Sequence, residues 1–192
     1  YFLTFAPQGA RTFSYASSFG VDKIGSSIMP KMKEWMSCIK AISVRETSGV
    51  ELVKRITGCD ATLVCDPTLL LDKEDWKPYM KVVLNMPQRY VIIYQLSASQ
   101  TIVDLACRIA QEQNIPVYRI CKRAFWVEQN EGVKNILDAG PAEFLSLIAN
   151  ASCVVTDSFH GTAFSVNFNI PFYTVVLSLI HISEPTRRSY IS

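Results

Sequence analysis

The sequence of 192 residues lacks a CxxC pair, an excess of charge of one sign and an apolar run long enough to cross a membrane. Its 19 Lys and Arg against 17 Asp and Glu leave a net charge of +2, and the cations are scattered. Because phosphate backbones are bound by concentrated basic faces, this balance excludes nucleic acid as the main partner. The longest strongly apolar run, 170–182, is interrupted by Pro171, Ser178 and His181. It falls short of the roughly 20 residues that span a bilayer, so we expect no transmembrane segment.

Six cysteines are present, but their spacings do not match the short Cys/His patterns that place ligands around zinc. An even number could form three disulfides in a secreted protein. A chain that is 49% hydrophobic, however, can bury a core without them. The sequence therefore favours reduced, buried thiols, a cytoplasmic protein and no metal site. The cysteines are Cys38, Cys59, Cys65, Cys107, Cys121 and Cys153.

Both ends of the sequence have unusual features. Residue 1 is Tyr, and the first Met, Met29, follows a segment that is already typical of folded structure, so we expect the amino-terminal domain to be incomplete. The stretch 177–187 reads LSLIHISEPTR, which is similar to an in-frame translation of the transposon adapter used in sequencing libraries. We therefore predict that 177–192 is an artefactual tail. The alternative is a genuine last strand followed by a polar tail.

Helical and extended patterns alternate along the chain. A capping box at Ser48 and Glu51, followed by Gly58, predicts one helix. Buried parallel strands read as continuous apolar runs, so the sequence predicts an α/β fold with parallel sheets. Apolar residues at helical spacing predict further helices within 28–39, 102–109 and 144–148, and short apolar runs predict strands at 12–16, 41–44, 61–64, 90–94, 117–120, 153–156 and 172–176.

A change of composition at 77–89 divides two series of strands and helices. We assign 1–86 to the carboxyl-terminal part of an amino-terminal α/β domain with its linker. Residues 87–176 are assigned to a truncated, carboxyl-terminal Rossmann-like domain. A ligand cleft is expected between the two.

The strongest chemical pattern is a strand, a polar turn and a new helix within 153–165, CVVTDSFHGTAFS. In an open α/β sheet, ligands bind outside the carboxyl ends of the strands, and N–H groups at a following helix start attract anions. Gly161 and Thr162 are predicted to open that helix, with His160 beside them. A histidine there can be a general acid, a general base or a phosphate donor. A capping or core histidine is the structural alternative.

Two residues before His160 are weaker candidates. Asp157 would either orient the imidazole or cap the helix, and capping is the simpler role. Ser158 has no base placed by the sequence, and DSFHG lacks the G-x-S-x-G nucleophile elbow. A serine hydrolase is therefore disfavoured.

Other polar residues also follow predicted strands. Arg45 and Glu46 come after the strand at 41–44, and the fork of an arginine suits a carboxylate or a phosphate. A surface salt bridge is the alternative for this pair. The Asp-Pro-Thr turn at 66–68 is interpreted as structural. Lys122 and Arg123 are either solvated charges or part of a cleft wall.

Together these motifs resemble the polysaccharide pyruvyl transferase family, in order, through nearly all of 1–176. The resemblance implies two Rossmann-like sub-domains similar to B-type glycosyltransferases, with further chain before residue 1, so that the fold is incomplete at both ends. The stretches that carry it are TFSYASSFG at 12–20, ISVRETSGVELVKRITG at 42–58, DPTLLLDKEDW at 66–76, YVIIYQL at 90–96 and the run 140–172 around DSFHG.

The implied chemistry is transfer of a pyruvyl group from phosphoenolpyruvate to hydroxyls of a sugar, usually as a cyclic ketal with release of phosphate. Phosphoenolpyruvate is the donor substrate, and the resemblance implies no cofactor and no metal. The acceptor is expected in a microbial exopolysaccharide or a cell-wall glycan. A lipid-linked acceptor would place this cytoplasmic protein at the inner face of the membrane.

The resemblance also implies roles for residues. His160 matches the family's functional histidine, as acid/base or phosphate contact, and Arg45 matches the strand-end arginine that would hold phosphoenolpyruvate. Gly161 and Thr162 would offer backbone N–H groups to the same anion. The remaining substrate-binding candidates are Glu46, Asp157 and Ser158.

One departure from the family concerns the donor contacts. Some relatives have Arg and Leu where this chain has Ser158 and Phe159. A serine donates only a neutral hydrogen bond. If the arginine holds the donor in those relatives, either the positive charge comes from elsewhere in this chain or the donor pocket differs. Lys122 and Arg123 are the candidates.

Two other functions fit the same pattern. A nucleotide-sugar glycosyltransferase is one, because a two-lobed α/β cleft suits a nucleoside diphosphate equally well. A non-catalytic fragment that only binds a ligand or partner is the other, because half a cleft cannot hold both substrates. We accordingly expect the chain in isolation to be inactive.

Overall fold

The computed structural model describes residues 2–7, 9–121 and 129–176. The predicted tail at 177–192 and the candidates Lys122 and Arg123 lie outside the described residues. The strands are β1 (Phe13–Ser17), β2 (Ala41–Val44), β3 (Thr62–Leu63), β4 (Val91–Tyr94), β5 (Val117–Ile120), β6 (Val133–Ile136), β7 (Cys153–Thr156) and β8 (Phe172–Thr174). The helices are α1 (Met29–Met36), α2 (Thr47–Thr57), α3 (Lys73–Trp76), α4 (Gln100–Gln113), α5 (Pro141–Ala149) and α6 (Phe159–Asn167).

The chain divides into two compact units, the first ending at Leu70 and the second beginning at Leu71. In the first unit β1, β2 and β3 form a parallel sheet in that order. Helices α1 and α2 bury their apolar faces with Val44 of β2. This apolar core fixes the end of β2, where the predicted Arg45 and Glu46 follow.

Helix α2 starts and ends differently from what its sequence signals suggest. Gly58 adopts a left-handed conformation, φ +80°, and ends the helix as predicted. The predicted capping box at Ser48 and Glu51 is wrong, because the helix begins at Thr47 and its N-cap is Glu46. Glu46 is extended, so β2 passes almost directly into the helix and leaves Ser48 inside the first turn.

The second unit contains a five-stranded parallel sheet in the order β6-β5-β4-β7-β8. One face packs on α4 through residues such as Ile93 and Ala106, and the other packs on α5 and α6 through Ile92 and Leu147. Parallel strands covered on both faces are what the continuous apolar runs predicted, and the α/β class is confirmed. The strand order reverses between β4 and β7, which makes that pair the topological switch point of the sheet.

Strand β6 is missing from the sequence prediction. Its sequence, Val-Lys-Asn-Ile, has two polar residues at its centre. It lies at the edge of the sheet and pairs only with β5 within the described residues. An edge strand is half solvated and does not need the apolar run that identifies a buried one.

The segment after Leu70 packs on the second unit. Lys73 Nζ donates to the carbonyl of Ala149 at 3.0 Å, and Asn167 Nδ2 donates to the carbonyl of Leu71 at 2.8 Å. The Trp76 ring meets Phe164 edge to face at 5.4 Å. The compact units therefore divide earlier than the predicted boundary after residue 86, and the domain assignment itself stays a prediction.

All six cysteines lie in the described residues and are free thiols. The expectation that they are buried is wrong for Cys59 and Cys65, which are exposed. Cys153 in β7 is only 3% exposed, and burial raises the pKa of its thiol to about 11. None of the helices in the described ranges is both long and apolar enough to span a bilayer.

These environments predict different rates of thiol modification. At about pH 8, Cys59 and Cys65 should react first with Ellman's reagent, because the thiolate is the nucleophile and theirs are accessible. Cys153 should react only after denaturation, since its high pKa keeps the thiol protonated. Stopped-flow absorbance of the native protein measures this. The Cys59→Ser and Cys65→Ser variants should each lose one fast equivalent; a native Cys153 modified as fast as Cys59 would contradict the expectation.

Candidate functional site

The first group of candidate residues lies at the end of β2, and we call it the Arg45 cluster: Arg45, Glu46, Asp66 and Thr68. Arg45 NH1 donates to Asp66 Oδ2 at 2.8 Å, and the Asp66 side chain is only 2% exposed. Asp66 Oδ1 accepts from the backbone N–H and the hydroxyl of Thr68, at 3.0 and 2.8 Å. The carboxylate therefore holds the guanidinium at one fixed place, while the Arg45 side chain keeps 23% of its surface exposed.

The Asp-Pro-Thr turn is structural, as predicted, but Asp66 does more than close that turn. Its pairing with Arg45 was missed by the sequence analysis. A signal for it exists, because Asp66 follows β3, and β3 is the neighbour of β2 in a parallel sheet. The carboxyl ends of adjacent parallel strands meet at one edge, so the two side chains are within reach of each other.

Glu46 has a positioning role. Its Oε1 accepts from the backbone N–H of Phe19 at 2.9 Å, which ties the segment after β1 to the end of β2. Its other oxygen lies 3.9 Å from Arg45 Nε. These two contacts give the Glu46 carboxylate a structural role. The expected contact of Glu46 with substrate stays a prediction.

The second group lies in the second unit, where β7 passes into α6, and we call it the His160 cluster: Asp157, Ser158, His160, Gly161 and Thr162. Helix α6 begins at Phe159, two residues before the predicted start at Gly161. Ser158 is the N-cap. Its Oγ accepts from the N–H of Gly161 at 3.3 Å, and the residue is 2% exposed. The predicted helix start is wrong because the buried Ser158 caps the helix, which places Gly161 inside its first turn.

Gly161 allows a close approach of α6 to β7. A Cβ placed on Gly161 would lie 2.5 Å from Thr156 Oγ1 and 3.1 Å from Thr156 Cβ. The N–H of Gly161 is bound by Ser158 Oγ, and that of Thr162 by the carbonyl of Ser158 at 3.0 Å. The missing side chain of Gly161 therefore makes room for Thr156, and anion binding by these two amides stays a prediction.

Asp157 connects the ends of two strands and does not cap α6. Its two carboxylate oxygens accept from the backbone N–H groups of Leu96 and Ser97, at 2.5 and 3.1 Å. These residues follow β4, so Asp157 links the segment after β7 to the segment after β4 at the switch point of the sheet. Burial and the negative charge of Asp157 both raise the pKa of Tyr94, the last residue of β4.

His160 is exposed in the first turn of α6. Its imidazole meets the Phe159 ring edge to face, with centroids 5.3 Å apart. The exposure rules out the alternative of a core histidine. Thr162 lies one step further, with its hydroxyl donating to the carbonyl of Ser158 at 3.1 Å and lying 2.7 Å from the hydroxyl of Thr174.

The two clusters offer complementary chemistry. The Arg45 cluster provides an oriented guanidinium, and the His160 cluster provides a solvent-facing imidazole at a helix start, where the backbone dipole favours anions. Both follow the carboxyl ends of parallel strands, where ligands bind in this class of fold. Within the described residues, no three His, Cys, Asp or Glu side chains are grouped so that they could hold a metal ion.

Comparison with known proteins gives a family and a fold. Residues 1–178 match the model of the family described as polysaccharide pyruvyl transferase. No curated protein is significantly similar in sequence. A solved UDP-GlcNAc 2-epimerase from Methanocaldococcus jannaschii aligns at 16% identity with a TM-score of 0.54, covering 73% of this chain and 46% of that one. This likeness confirms the predicted similarity to folds of the B-type glycosyltransferases.

Two further UDP-N-acetylglucosamine 2-epimerase structures align more weakly. The one from Listeria monocytogenes has 9% identity and a TM-score of 0.47, covering 73% of this chain and 43% of that one. The one from Rickettsia bellii has 13% identity and a TM-score of 0.39, covering 79% and 47%. The chain thus spans less than half the length of each of these three solved structures.

The contact between Gly161 and Thr156 predicts a specific sensitivity. Gly161→Ala should lower the free energy of unfolding by about 1–3 kcal/mol, because the new methyl group overlaps a side chain that is itself hydrogen-bonded. Gly25→Ala is the matched control, since a Cβ there meets nothing closer than 3.9 Å and should change stability by less than about 0.5 kcal/mol. Urea denaturation measures both. Equal stability of the two variants would contradict this packing.

Proposed function

The chain belongs to the polysaccharide pyruvyl transferase family, and we propose on this basis that it transfers a pyruvyl group from phosphoenolpyruvate to hydroxyls of a sugar in a polysaccharide or glycan precursor. The match of the family model over residues 1–178 carries the proposal. The likeness to epimerases concerns the fold alone and favours no reaction of nucleotide sugars. We propose phosphoenolpyruvate as a donor substrate, with no separate cofactor.

The proposed reaction begins with a proton transferred to the methylene carbon of phosphoenolpyruvate, which makes the central carbon cation-like. One sugar hydroxyl adds to that carbon, and the bond from the carbon to the phosphate oxygen breaks. A second hydroxyl then adds and closes the ketal. The two hydroxyls release two protons, of which one replaces the proton taken up by the methylene carbon and the other leaves with phosphate.

His160 is the proposed general acid. Its imidazole faces solvent in the first turn of α6, so a substrate can reach it without rearrangement of the core. Imidazole donates and accepts protons near neutral pH, which the methylene step requires. The dipole of α6 also favours an anion at this place, which suits the phosphate of the donor.

Arg45 is the proposed anchor of the donor anion. Phosphoenolpyruvate carries a carboxylate and a phosphate, and a guanidinium can donate two parallel hydrogen bonds to either. Asp66 Oδ2 accepts a hydrogen bond from Arg45 NH1 at 2.8 Å and restrains the guanidinium, so less side-chain entropy is lost when an anion binds. Asp66 acts in this proposal as a positioning residue, and the contacts of Glu46, Asp157 and Ser158 with substrate stay predictions.

Phosphate release tests the reaction. The full-length protein should release phosphate from phosphoenolpyruvate only when a suitable acceptor is present in a panel of methyl glycosides and glycan precursors. His160→Ala should lower kcat by about 10²–10⁴-fold, the usual contribution of a general acid. His160→Asn keeps a hydrogen-bond donor but transfers no proton, so it should be as slow as the alanine variant.

Three results would count against this assignment. Restoration of activity by asparagine would make His160 a phosphate contact and not an acid. Phosphate release that ignores the acceptor would contradict pyruvyl transfer. Turnover of nucleotide sugars without any use of phosphoenolpyruvate would replace the proposed function with glycosyl transfer.

Arg45 should control the affinity for the donor. Arg45→Lys should raise the KM for phosphoenolpyruvate by about tenfold with a smaller change in kcat, because a lysine loses the forked geometry but keeps the charge. Asp66→Asn should also raise the KM for phosphoenolpyruvate, because the guanidinium of Arg45 loses the anionic partner that restrains it. Arg55→Lys on the exposed side of α2 is the control and should match the parent. An unchanged KM in Arg45→Lys would remove Arg45 from the donor site.

A further inference from the structure

Two buried side-chain polar atoms in the described part of the chain have no hydrogen-bond partner, Nε1 of Trp76 and Oε1 of Gln95. Native structures contain few such atoms, because each gives up a hydrogen bond to water without replacement. Trp76 belongs to α3 and packs among aromatic rings. Gln95 is different, because it directly follows β4 at the switch point of the sheet.

Hydrogen bonds on both sides of Gln95 fix its backbone to the end of β7. Before it, the carbonyl of Tyr94 accepts from the hydroxyl of Thr156. After it, the N–H groups of Leu96 and Ser97 donate to Asp157. Gln95 is therefore held next to the start of the His160 cluster, at the point in an α/β sheet where ligands bind.

We propose that Gln95 binds the acceptor sugar, with its side-chain carbonyl accepting a hydrogen bond from a sugar hydroxyl. The chemistry of the substrates decides which of them it meets. Ionised phosphoenolpyruvate presents oxygen atoms that only accept hydrogen bonds, whereas a sugar hydroxyl donates one. An unsatisfied carbonyl thus fits the acceptor and not the donor. This inference rests on the proposed function for the identity of the sugar as a substrate.

Local geometry allows this contact. The residue is partly exposed while its carbonyl oxygen is enclosed. The terminal torsion of a glutamine is broad, so a partial rotation that keeps the carbonyl oxygen foremost can bring this oxygen to a ligand while the backbone stays in place. Asp157 is less suited to the role, because each of its carboxylate oxygens already accepts a backbone N–H. A carbonyl that gains its first partner on binding also discriminates against a sugar that lacks the hydroxyl.

The test compares sugars and variants in pairs. Binding of methyl galactoside, mannoside, glucoside and N-acetylmannosaminide, and of their monodeoxy derivatives, is measured by isothermal titration calorimetry on the full-length protein. For the glycoside that binds, one deoxy derivative should bind the parent protein about tenfold more weakly. Gln95→Met should bind the complete glycoside about tenfold more weakly, and removal of that hydroxyl should then cost nothing further. Gln111→Met, an exposed position on α4, is the matched control and should behave as the parent.

The melting temperature is a second readout, which distinguishes a glutamine that binds a ligand from one that only stabilises the fold. Gln95→Met removes an unsatisfied carbonyl from the interior, so its melting temperature should equal or exceed that of the parent. A structural amide would lose stability on the same change. Gln95→Glu keeps an acceptor oxygen and should keep the discrimination between the glycoside and its deoxy derivative, which maintains the test if the methionine variant fails to fold.

The outcomes separate this contact from the reaction. A glycoside that binds through Gln95 while no phosphate is released from phosphoenolpyruvate would overturn the proposed donor and leave the contact standing. Normal turnover with additive losses in Gln95→Met would overturn the contact and leave the reaction. A parent protein that binds none of the glycosides, or a methionine variant that folds but melts at a lower temperature than the parent, would also overturn the contact.

Discussion

The close approach of α6 to the end of β7 is the constraint on which the second unit's candidate site depends. Thr156 has its hydroxyl in the middle of that contact, where it donates to the carbonyl of Tyr94 and accepts from the N–H of Ser158. A residue larger than glycine at 161 would push the helix away from this hydroxyl. The position of the backbone of His160 therefore depends on a small hydroxyl at Thr156 and on the missing Cβ of Gly161.

At the end of β2, a side chain is likewise held in place by its neighbour, because Asp66 binds Arg45. An arginine on a strand end has many rotamers, and fixing it costs conformational entropy whenever an anion binds. Asp66 removes part of that cost in advance, because its buried carboxylate is anchored by two groups of Thr68 and holds one nitrogen of Arg45. The pairing also lowers the local positive charge, so in the proposed donor site Arg45 would contribute geometry as much as charge.

The class of fold could be predicted because buried parallel strands need apolar side chains on both faces, and β4 and β7 consist almost entirely of them. Strand β6 escaped prediction because an edge strand tolerates Lys134 and Asn135. The positions of Arg45 and His160 followed from motifs. The hydrogen-bond partners around them could not be predicted, because the sequence does not show which carboxylate accepts a backbone N–H. Asp157 thus resembled a helix cap, while the cap is the buried Ser158 next to it.

The switch point combines two kinds of hydrogen-bonding groups that the two substrates of a pyruvyl transfer would need separately. The start of α6 has the positive end of the helix dipole and the His160 imidazole, which suit an anion. The β4 side has the unsatisfied carbonyl of Gln95, which suits a hydroxyl that donates. Asp157 joins the two sides by accepting the backbone N–H groups of Leu96 and Ser97, which follow β4. In the proposed reaction the selectivity would work in one direction, because ionised phosphoenolpyruvate has no hydrogen-bond donor to offer the carbonyl of Gln95, whereas a sugar hydroxyl has one.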